Sequence, residues 1–462
     1  MSLFTEFPVS TEEDWKKQIE KDLKGISFEN LSSYTFGTIK RNPFYTKNIG
    51  TSPLFFHSDW DILELSNIEN TKSNQLLLQA LNSGASGYVI NLNTEVSIPS
   101  KLNGIESNYI NSNFRLLSAH QNILEQLSNY FESFQNVHQW NASVSFDFVA
   151  HLLETGNYFN SNKEDTVQFL SIQKEFSTKS GIRSVVVEGS IYQNSGANPQ
   201  TEIGMLLAHA HHYLVLLLET GFPKDRIASL FQFNVSIGSD FFLEISKLRA
   251  LHKTWSFILS KYEITPEVYL SAFTSLVDKT SSDPYTNLLR SSLQGMAAVI
   301  GGAKSLCIFP FDYSYKEPDE FSLRMARNQQ LILKEEAYLD KVSDAAGGSY
   351  YVESLTQELE LLSYSIFQEV EKKGGIIAAA EQGFIQEKIK RQGEELISML
   401  NEGKLSVIGL NCYHSKKNQG SEVQNKKEIV SRRIYKPQAD VFPSLRYIHF
   451  ESMYTSVATD NF

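Results

Sequence analysis

Runs of residues typical of β-strands alternate along this chain with helical runs, and this alternation limits the possible folds more than any other feature. It favours a mainly parallel sheet covered by helices, as in barrels and doubly wound α/β folds. The 462 residues suffice for one large barrel with appendages. The predicted strands are Gly87–Leu92, Ser143–Val149, Arg183–Gly189, Leu230–Gly238 and Ser305–Asp312. The predicted helices cover residues 74–84, 202–221, 240–262 and 287–303, and residues 321–375 are predicted to be helical around an extended insert at 347–355.

The segment Val185–Gly204, VVVEGSIYQNSGANPQTEIG, predicts a strand, a polar loop with glycines and then a long apolar helix. In parallel α/β folds the loop after such a strand is where chemistry is placed. This loop begins with Ser190 and Ile191, which offer no strong acid, base or nucleophile. The sequence therefore predicts an active-site position without catalytic groups.

The formal net charge of −11 argues against a nucleic-acid backbone as partner, although a local pocket could still accept an anionic small molecule. The two cysteines, Cys307 and Cys412, form neither a metal-binding spacing nor a disulfide framework. We see no leader peptide and no apolar run of about 18 residues, so a cytoplasmic protein is expected.

The first and last parts of the chain differ from its middle. Residues 10–25 predict a helix that begins at Ser10 and ends at Gly25. Its sparse apolar stripe, Trp15, Ile19 and Leu23, is typical of a helix that lies on another surface. The last fifty residues are polar and lysine-rich, which indicates a linker or an exposed strap.

Several other groups are candidates for chemistry, each with a simpler structural interpretation. His209 and His212 share a helix face and could bracket a metal ion, but packed or hydrogen-bonded histidines are the default. Glu244, Lys247 and Arg249 predict a barrel helix with one charged face. Gly301–Gly302 follows a helix, so a helix end and a tight turn are favoured over a phosphate cradle. No Ser/His/Asp set or zinc spacing is present.

Five blocks of the chain, in order, are similar to long, characteristic segments of one family. These blocks are residues 7–46, 233–255, 283–306, 321–356 and 403–413. The family they resemble is that of methylmalonyl-CoA mutase. The resemblance implies a (β/α)₈ barrel whose axis is threaded by the coenzyme A chain. It also implies an adenosylcobalamin-dependent radical reaction that interconverts succinyl-CoA and methylmalonyl-CoA.

The resemblance also implies that the catalytic loop is degenerate. Catalytic members read Gly-Tyr-His-x-Gln-Glu-Ala-Gly-Ala at this point. Here Ser190 stands in place of the tyrosine, and Ile191 stands in place of the histidine that hydrogen-bonds the thioester carbonyl. Isoleucine cannot donate that bond, a loss that typically costs roughly 10²–10³ in rate. Tyr192 is displaced by one residue, so its side chain should point elsewhere. The residues that match the family frame are Gly189, Gln193, Gly196 and Ala197.

Two further segments of the family pattern are missing from the printed sequence. The region that reads SPLFFHSDWDILEL contains no Arg-Pro-Trp…Arg-Gln-Tyr-Ala-Gly block. The Asp-x-His-x-x-Gly motif of the cobalamin-binding domain is absent too, and about fifty polar residues follow Tyr413. We therefore expect an arm at 1–48, a barrel domain at 49–413 and a polar extension at 414–462.

Together these features predict a small, non-catalytic subunit of a heterodimeric mutase. The partner would be a large subunit that carries adenosylcobalamin, with no cofactor or metal held by this chain. Trp15, Ile19 and Leu23 would contact that partner. Two alternatives stay open: a catalytic barrel that borrows cobalamin from a separate protein, and an acyl-CoA-binding homodimer.

Overall fold

The described part of the chain contains the barrel, most of the arm and a short carboxyl-terminal segment. The computed structural model describes residues 11–46, 54, 58–66, 72–92, 97–118, 120–134, 139–413 and 441–454. The predicted helix cap Ser10 and most of the predicted polar extension lie outside these residues. Among the described helices, none is long and apolar enough to cross a membrane.

Nine parallel strands form one sheet, and a separate antiparallel hairpin of two short strands lies in the arm. The hairpin strands are β1 (Ser33–Thr35) and β2 (Ile39–Arg41). The sheet strands are β3 (Asp61–Ser66), β4 (Gly87–Leu92), β5 (Asn111–Leu116), β6 (Ala142–Ser145), β7 (Ile182–Arg183), β8 (Val185–Glu188), β9 (Phe231–Ile237), β10 (Leu270–Thr274) and β11 (Ser305–Cys307). Their order in the sheet is β7-β6-β5-β4-β3-β11-β10-β9-β8.

The sheet closes because its two terminal strands are halves of one segment. β7 pairs with β6, β8 pairs with β9, and only Ser184 separates the two halves. The hydroxyl of Ser184 bonds to Gln173 in the helix layer, and the next residue, Val185, also belongs to the core on that side. Two consecutive residues facing outward break the alternation of the strand, as a bulge does. The chain is thus an eight-stranded α/β barrel, as predicted, in which β7 and β8 count as one interrupted strand.

Helices follow the barrel strands and cover their outer faces, and in the described residues four further α-helices come after α12, the helix that follows the last strand. The α-helices are α1 (Glu12–Asp22), α2 (Ser73–Asn82), α3 (Ile98–Lys101), α4 (Gln121–Glu132), α5 (Phe148–Thr155), α6 (Asn162–Phe176), α7 (Ser190–Asn194), α8 (Pro199–Glu219), α9 (Lys224–Leu230), α10 (Phe241–Lys261), α11 (Thr286–Ile300), α12 (Glu320–Leu331), α13 (Tyr350–Lys372), α14 (Gly375–Glu381), α15 (Phe384–Asn401) and α16 (Phe450–Met453). α13 packs on α8 and α10, which explains why those two helices are apolar around most of their circumference.

Three expectations from the sequence are wrong in detail. Residues 350–355 begin α13 rather than an extended insert, because that helix packs across α8 and α10 and tertiary packing outweighs the β-propensity of Tyr350, Tyr351 and Val352. β6 stops at Ser145, where Asp147 caps α5. β11 ends at Cys307, well before Asp312.

The arm helix α1 begins at Thr11, which forms a reciprocal capping box with Asp14. None of its residues is buried: Trp15 is 49% exposed, and Ile19 and Leu23 are half-buried. Trp15 packs on Phe44 of the arm, with ring centroids 3.7 Å apart. The apolar stripe of α1 is therefore only partly covered by the described part of this chain.

Candidate functional site

The loop predicted to hold chemistry forms the short helix α7 at the carboxyl end of β8. Ser190 is half-buried, and Ile191 is buried in the main apolar core. The side-chain oxygen of Gln193 accepts a hydrogen bond from the Ser275 hydroxyl at 3.1 Å, which ties α7 to the loop after β10. Ile191 offers no polar atom, so the loop is held by packing and cannot polarise a carbonyl.

Tyr192 points into the helix layer instead of the barrel axis. Its hydroxyl bonds Nδ1 of His209 at 3.1 Å, and Nε2 of His209 bonds Oδ1 of Asp147 at 2.9 Å. The Tyr213 hydroxyl donates to the same oxygen at 2.8 Å. The backbone N–H groups of Ala150 and Glu188 also donate to the Asp147 carboxylate, each at 2.8 Å. This network joins β6, β8, α7 and α8.

The electrostatics of this network are those of a structural anchor. Burial alone would raise the pKa of Asp147, but His209 and the hydrogen bonds it accepts hold that pKa below its usual range. Burial raises the pKa of Tyr192 and of Tyr213 well above the usual value, with the Asp147 charge adding to both. All four side chains are buried, so the arrangement resembles an acid–base triad without access to a substrate.

The family frame residues of the loop have packing reasons to be present. A Cβ at Gly189 would lie 2.7 Å from Leu206 and 2.9 Å from the Asn234 carbonyl oxygen. Gly196 has φ +99°, and a Cβ there would lie 2.6 Å from the Cα of Gly393 in α15. Both glycines thus allow the backbone to lie close to its neighbours. This packing requirement does not depend on any chemistry at the loop.

The upper part of the barrel interior is crossed by an ion pair. A guanidinium nitrogen of Arg115, on β5, lies 2.8 Å from the carboxylate of Glu188, on β8. The Asn234 side chain donates to the other carboxylate oxygen at 2.6 Å. The Arg115 guanidinium also lies over the ring of Phe273, 4.8 Å from its centroid. Arg115 thus contacts Glu188, two strands away, and Phe273, on the opposite side of the barrel.

A second polar layer fills the interior nearer the amino ends of the strands. Arg183 stacks on Tyr269, with its guanidinium carbon 3.8 Å from the ring centroid, and donates to Gln232 at 2.8 Å. Gln232 links the two layers, since its side-chain amide donates to Asn113 at 3.3 Å and to Asn234 at 2.8 Å. The other members of this layer are Asp61, Asn111 and Asn141. The interior is therefore occupied by the chain's own polar side chains.

Glu244, Lys247 and Arg249 of α10 are buried, which corrects the expectation that they form one charged helix face. The Lys247 ammonium lies 2.8 Å from Glu202, 2.6 Å from Glu244 and 2.6 Å from the Ser236 carbonyl oxygen. Arg249 is fully buried and pairs with Asp344 and Glu353. Because α13 covers α10, these charges are stabilised only by their partners.

The cluster around Lys247 should make stability depend on pH. Burial, with repulsion from Glu244, raises the pKa of Glu202 to about 7 despite the attraction of Lys247. Between the usual pKa of 4.5 and about 7, the unfolded chain has lost this proton and the folded chain keeps it. The contribution of Glu202 therefore falls as pH rises through this window. Glu202→Gln should remove this pH dependence. From about pH 5 to about pH 8, its free energy of unfolding should therefore rise by about 1–3 kcal/mol relative to that of the wild type.

Urea unfolding at several pH values measures this difference. Glu219→Gln, at the exposed end of the same helix, is the matched control and should follow the wild type at every pH. Parallel pH profiles for Glu202→Gln and the wild type would contradict the assignment of a raised pKa to Glu202.

The remaining histidines of α8 are packed or hydrogen-bonded, as the default interpretation held. His211 bonds the Tyr262 hydroxyl at 2.6 Å and lies 3.2 Å from the Glu371 carboxylate. His212 packs edge-on against Phe148, and burial lowers its pKa to about 4. Within the part of the chain that the structure describes, no three His, Cys, Asp or Glu side chains form a metal-binding group.

Residues 441–454, which we call the strap, lie on the carboxyl face of the barrel beside the segments that follow β6, β8 and β10. Backbone N–H groups of the strap donate to Leu153 in α5, to Asn194 in α7 and to Val277 after β10. Leu445, Ile448 and Phe450 are the strap's buried apolar residues. At Asn194 the strap therefore lies directly against α7.

Comparison with known proteins identifies the family. The sequence model described as methylmalonyl-CoA mutase matches residues 102–446, more than half of the chain. The chain belongs to the methylmalonyl-CoA mutase family. The methylmalonyl-CoA mutase small subunit of Porphyromonas gingivalis is 32% identical over 418 residues, which are 84% of this chain and 67% of that protein. The small subunit of Propionibacterium freudenreichii subsp. shermanii is 29% identical over 420 residues, 82% and 65% of the two chains.

Other relatives extend the same picture. The methylmalonyl-CoA mutase of Cereibacter sphaeroides is 28% identical over 466 residues, covering 88% of this chain and 65% of that protein. The chain thus spans about two thirds of the length of these mutase relatives. Among solved structures, a dihydropteroate synthase from Thermus thermophilus overlaps at 12% identity and a TM-score of 0.32, over 60% of this chain and 98% of that one. A score this low supports no argument.

Sequence reasoning missed the residues that fill the barrel. Asn111, Asn113 and Arg115 alternate at the period of a strand in NSNFRL, with their polar side chains facing inward, and this alternation is the signal that could have revealed β5. Glu188 stands directly before the loop, and Asp147 follows β6, yet their charged partners Arg115 and His209 lie 73 and 62 residues away.

Proposed function

We propose that this chain is the small, non-catalytic subunit of a heterodimeric adenosylcobalamin-dependent methylmalonyl-CoA mutase. Its large partner would interconvert succinyl-CoA and methylmalonyl-CoA, and this chain would stabilise that partner. The observation that carries the proposal is the Arg115–Glu188 pair inside the barrel, between β5 and β8. With Phe273, over whose ring the Arg115 guanidinium lies, this hydrogen-bonded pair takes up interior space where a catalytic chain of this family would admit coenzyme A.

The proposal places adenosylcobalamin in the large subunit. When bound, that cofactor supplies the radical that starts the rearrangement. The sequence Asp-x-His-x-x-Gly does not occur in the 462 residues. On the carboxyl face the strap lies beside α7, and no such ligand motif stands in these residues, so they do not fit a cobalamin there. We therefore assign no catalytic step to this chain.

Native mass and turnover of the chain with its large subunit test the proposal. We expect a one-to-one heterodimer with activity, no turnover by this chain alone, and no acyl-CoA binding to it in calorimetry. A micromolar dissociation constant for succinyl-CoA without the partner would favour an acyl-CoA-binding homodimer. Turnover after mixing with an isolated cobalamin-domain protein would favour a split catalytic barrel.

Trp15 should be a main contact with the large subunit. Its ring is 49% exposed on a helix without buried residues, and large aromatic side chains dominate the binding energy of interfaces. Trp15→Ser should weaken the heterodimer by about 10- to 100-fold. Biolayer interferometry with immobilised large subunit measures the change. Tyr109→Ser, which removes an 81% exposed aromatic from the barrel body, is the control and should bind like the wild type. Equal affinities for both variants would remove α1 from the interface.

A further inference from the structure

The strap crosses the barrel mouth in a defined path. It bonds first beside α5, where the N–H groups of Phe442 and Leu445 donate to the Gly156 and Leu153 carbonyls at 3.0 Å and 2.7 Å. It then passes over α7, where the N–H of Ile448 donates to the Asn194 carbonyl at 2.8 Å. It ends after β10, where the N–H of Phe450 donates to the Val277 carbonyl at 2.9 Å. One segment thus joins loops that follow three different barrel strands.

A single carboxylate fixes the far end of the strap. The Glu451 carboxylate accepts from the backbone N–H of Ser281 at 2.7 Å, from the Ser281 hydroxyl at 2.8 Å and from the backbone N–H of Ser282 at 2.9 Å. Burial alone would raise the pKa of Glu451, but these hydrogen bonds hold that pKa below its usual value. The strap therefore ends on three charge-assisted hydrogen bonds.

The underside of the strap builds a separate apolar core. Ile448 and Phe450 pack with Val277, on the loop after β10, and with Leu400, at the end of α15. The other buried members of this cluster are Val407 and Leu410. This core lies apart from the main core between sheet and helices, so covering the barrel mouth contributes apolar burial of its own.

We propose that residues 441–454 are a built-in cap that closes the carboxyl face of this chain's own barrel, with Glu451 as its latch. The cap occupies the face on which barrel enzymes bind ligands. A partner must therefore meet this chain on another surface. This inference goes beyond the proposed non-catalytic role and stands or fails independently of it, because it concerns contacts within one chain.

Hydrogen–deuterium exchange on the full chain tests the latch. Glu451→Gln keeps the size of the side chain and removes its charge. It should speed exchange of the amides of Ser281, Ser282, Ile448 and Phe450 by about tenfold or more, with β9 and β10 unchanged. Glu394→Gln, on the exposed face of α15, is the matched control and should exchange like the wild type.

A second variant separates the cap from general instability. Phe450→Ser removes an apolar anchor and should speed exchange in the same segments while the barrel strands keep their protection. Wild-type exchange at Ile448 and Phe450 as fast as in an unfolded peptide would overturn the cap. Unchanged exchange of the strap in both variants would overturn it as well. Formation of the heterodimer by the wild type bears on the proposed function alone.

Discussion

Asp147→Ala is expected to lower the free energy of unfolding by about 3–5 kcal/mol. The buried Asp147 carboxylate accepts hydrogen bonds from His209, Tyr213 and the backbone N–H groups of Ala150 and Glu188. Alanine would leave these donors without an acceptor, where water cannot replace it. A buried donor left without its acceptor costs more free energy than the hydrogen bond itself contributes on balance. Urea unfolding followed by circular dichroism measures the change.

Asp319→Ala is the matched control for this variant. Asp319 also caps a helix, since its side chain accepts from the Ser322 N–H at 2.9 Å, but it lies at an exposed helix start. Its loss should cost about 1 kcal/mol, the usual value of an N-cap. If Asp147→Ala costs no more than Asp319→Ala, the network beneath α7 contributes only a cap.

The parts of the fold that were predictable from sequence are those with a local signal. α10 agrees with its predicted range to within one residue, because it is a long apolar run with clear ends. β4 has the predicted bounds because GYVINL is a short apolar run between turns. β5 was missed because its inward side chains are polar, which reverses the usual pattern of a half-buried strand.

The site depends on contacts that no local pattern contains. Arg115 and Glu188 are 73 residues apart, and Asp147 and His209 are 62 apart. Ile191 could be recognised as a lost donor because the family frame fixes its position. The groups that fill the barrel interior could not, since their contacts form only when the strands close. The buried charges of α10 were misread because the covering helix α13 follows about a hundred residues later.

Arg115→Met is expected to destabilise the chain by about 3–5 kcal/mol, and the double variant Arg115→Met/Glu188→Leu by much less. The single change leaves the Glu188 carboxylate, 2% exposed, without its cation. The double change replaces the pair with apolar groups of similar volume, which is often nearly neutral. A coupling energy of about 2 kcal/mol or more between the two positions should result.

Glu64 and Arg327 provide the matched pair for this cycle. They form a buried ion pair at 3.1 Å between β3 and α12, on the outer side of the barrel. Coupling at both pairs would show that in each pair the two charges stabilise one another. Coupling at the outer pair alone would mean that Arg115 and Glu188 do not stabilise the barrel interior. Because the inner pair is stabilised only when both charges are present, the barrel interior is a packed core in its own right. A scaffold that fills its axis in this way keeps the shape of the family without needing a ligand to complete it.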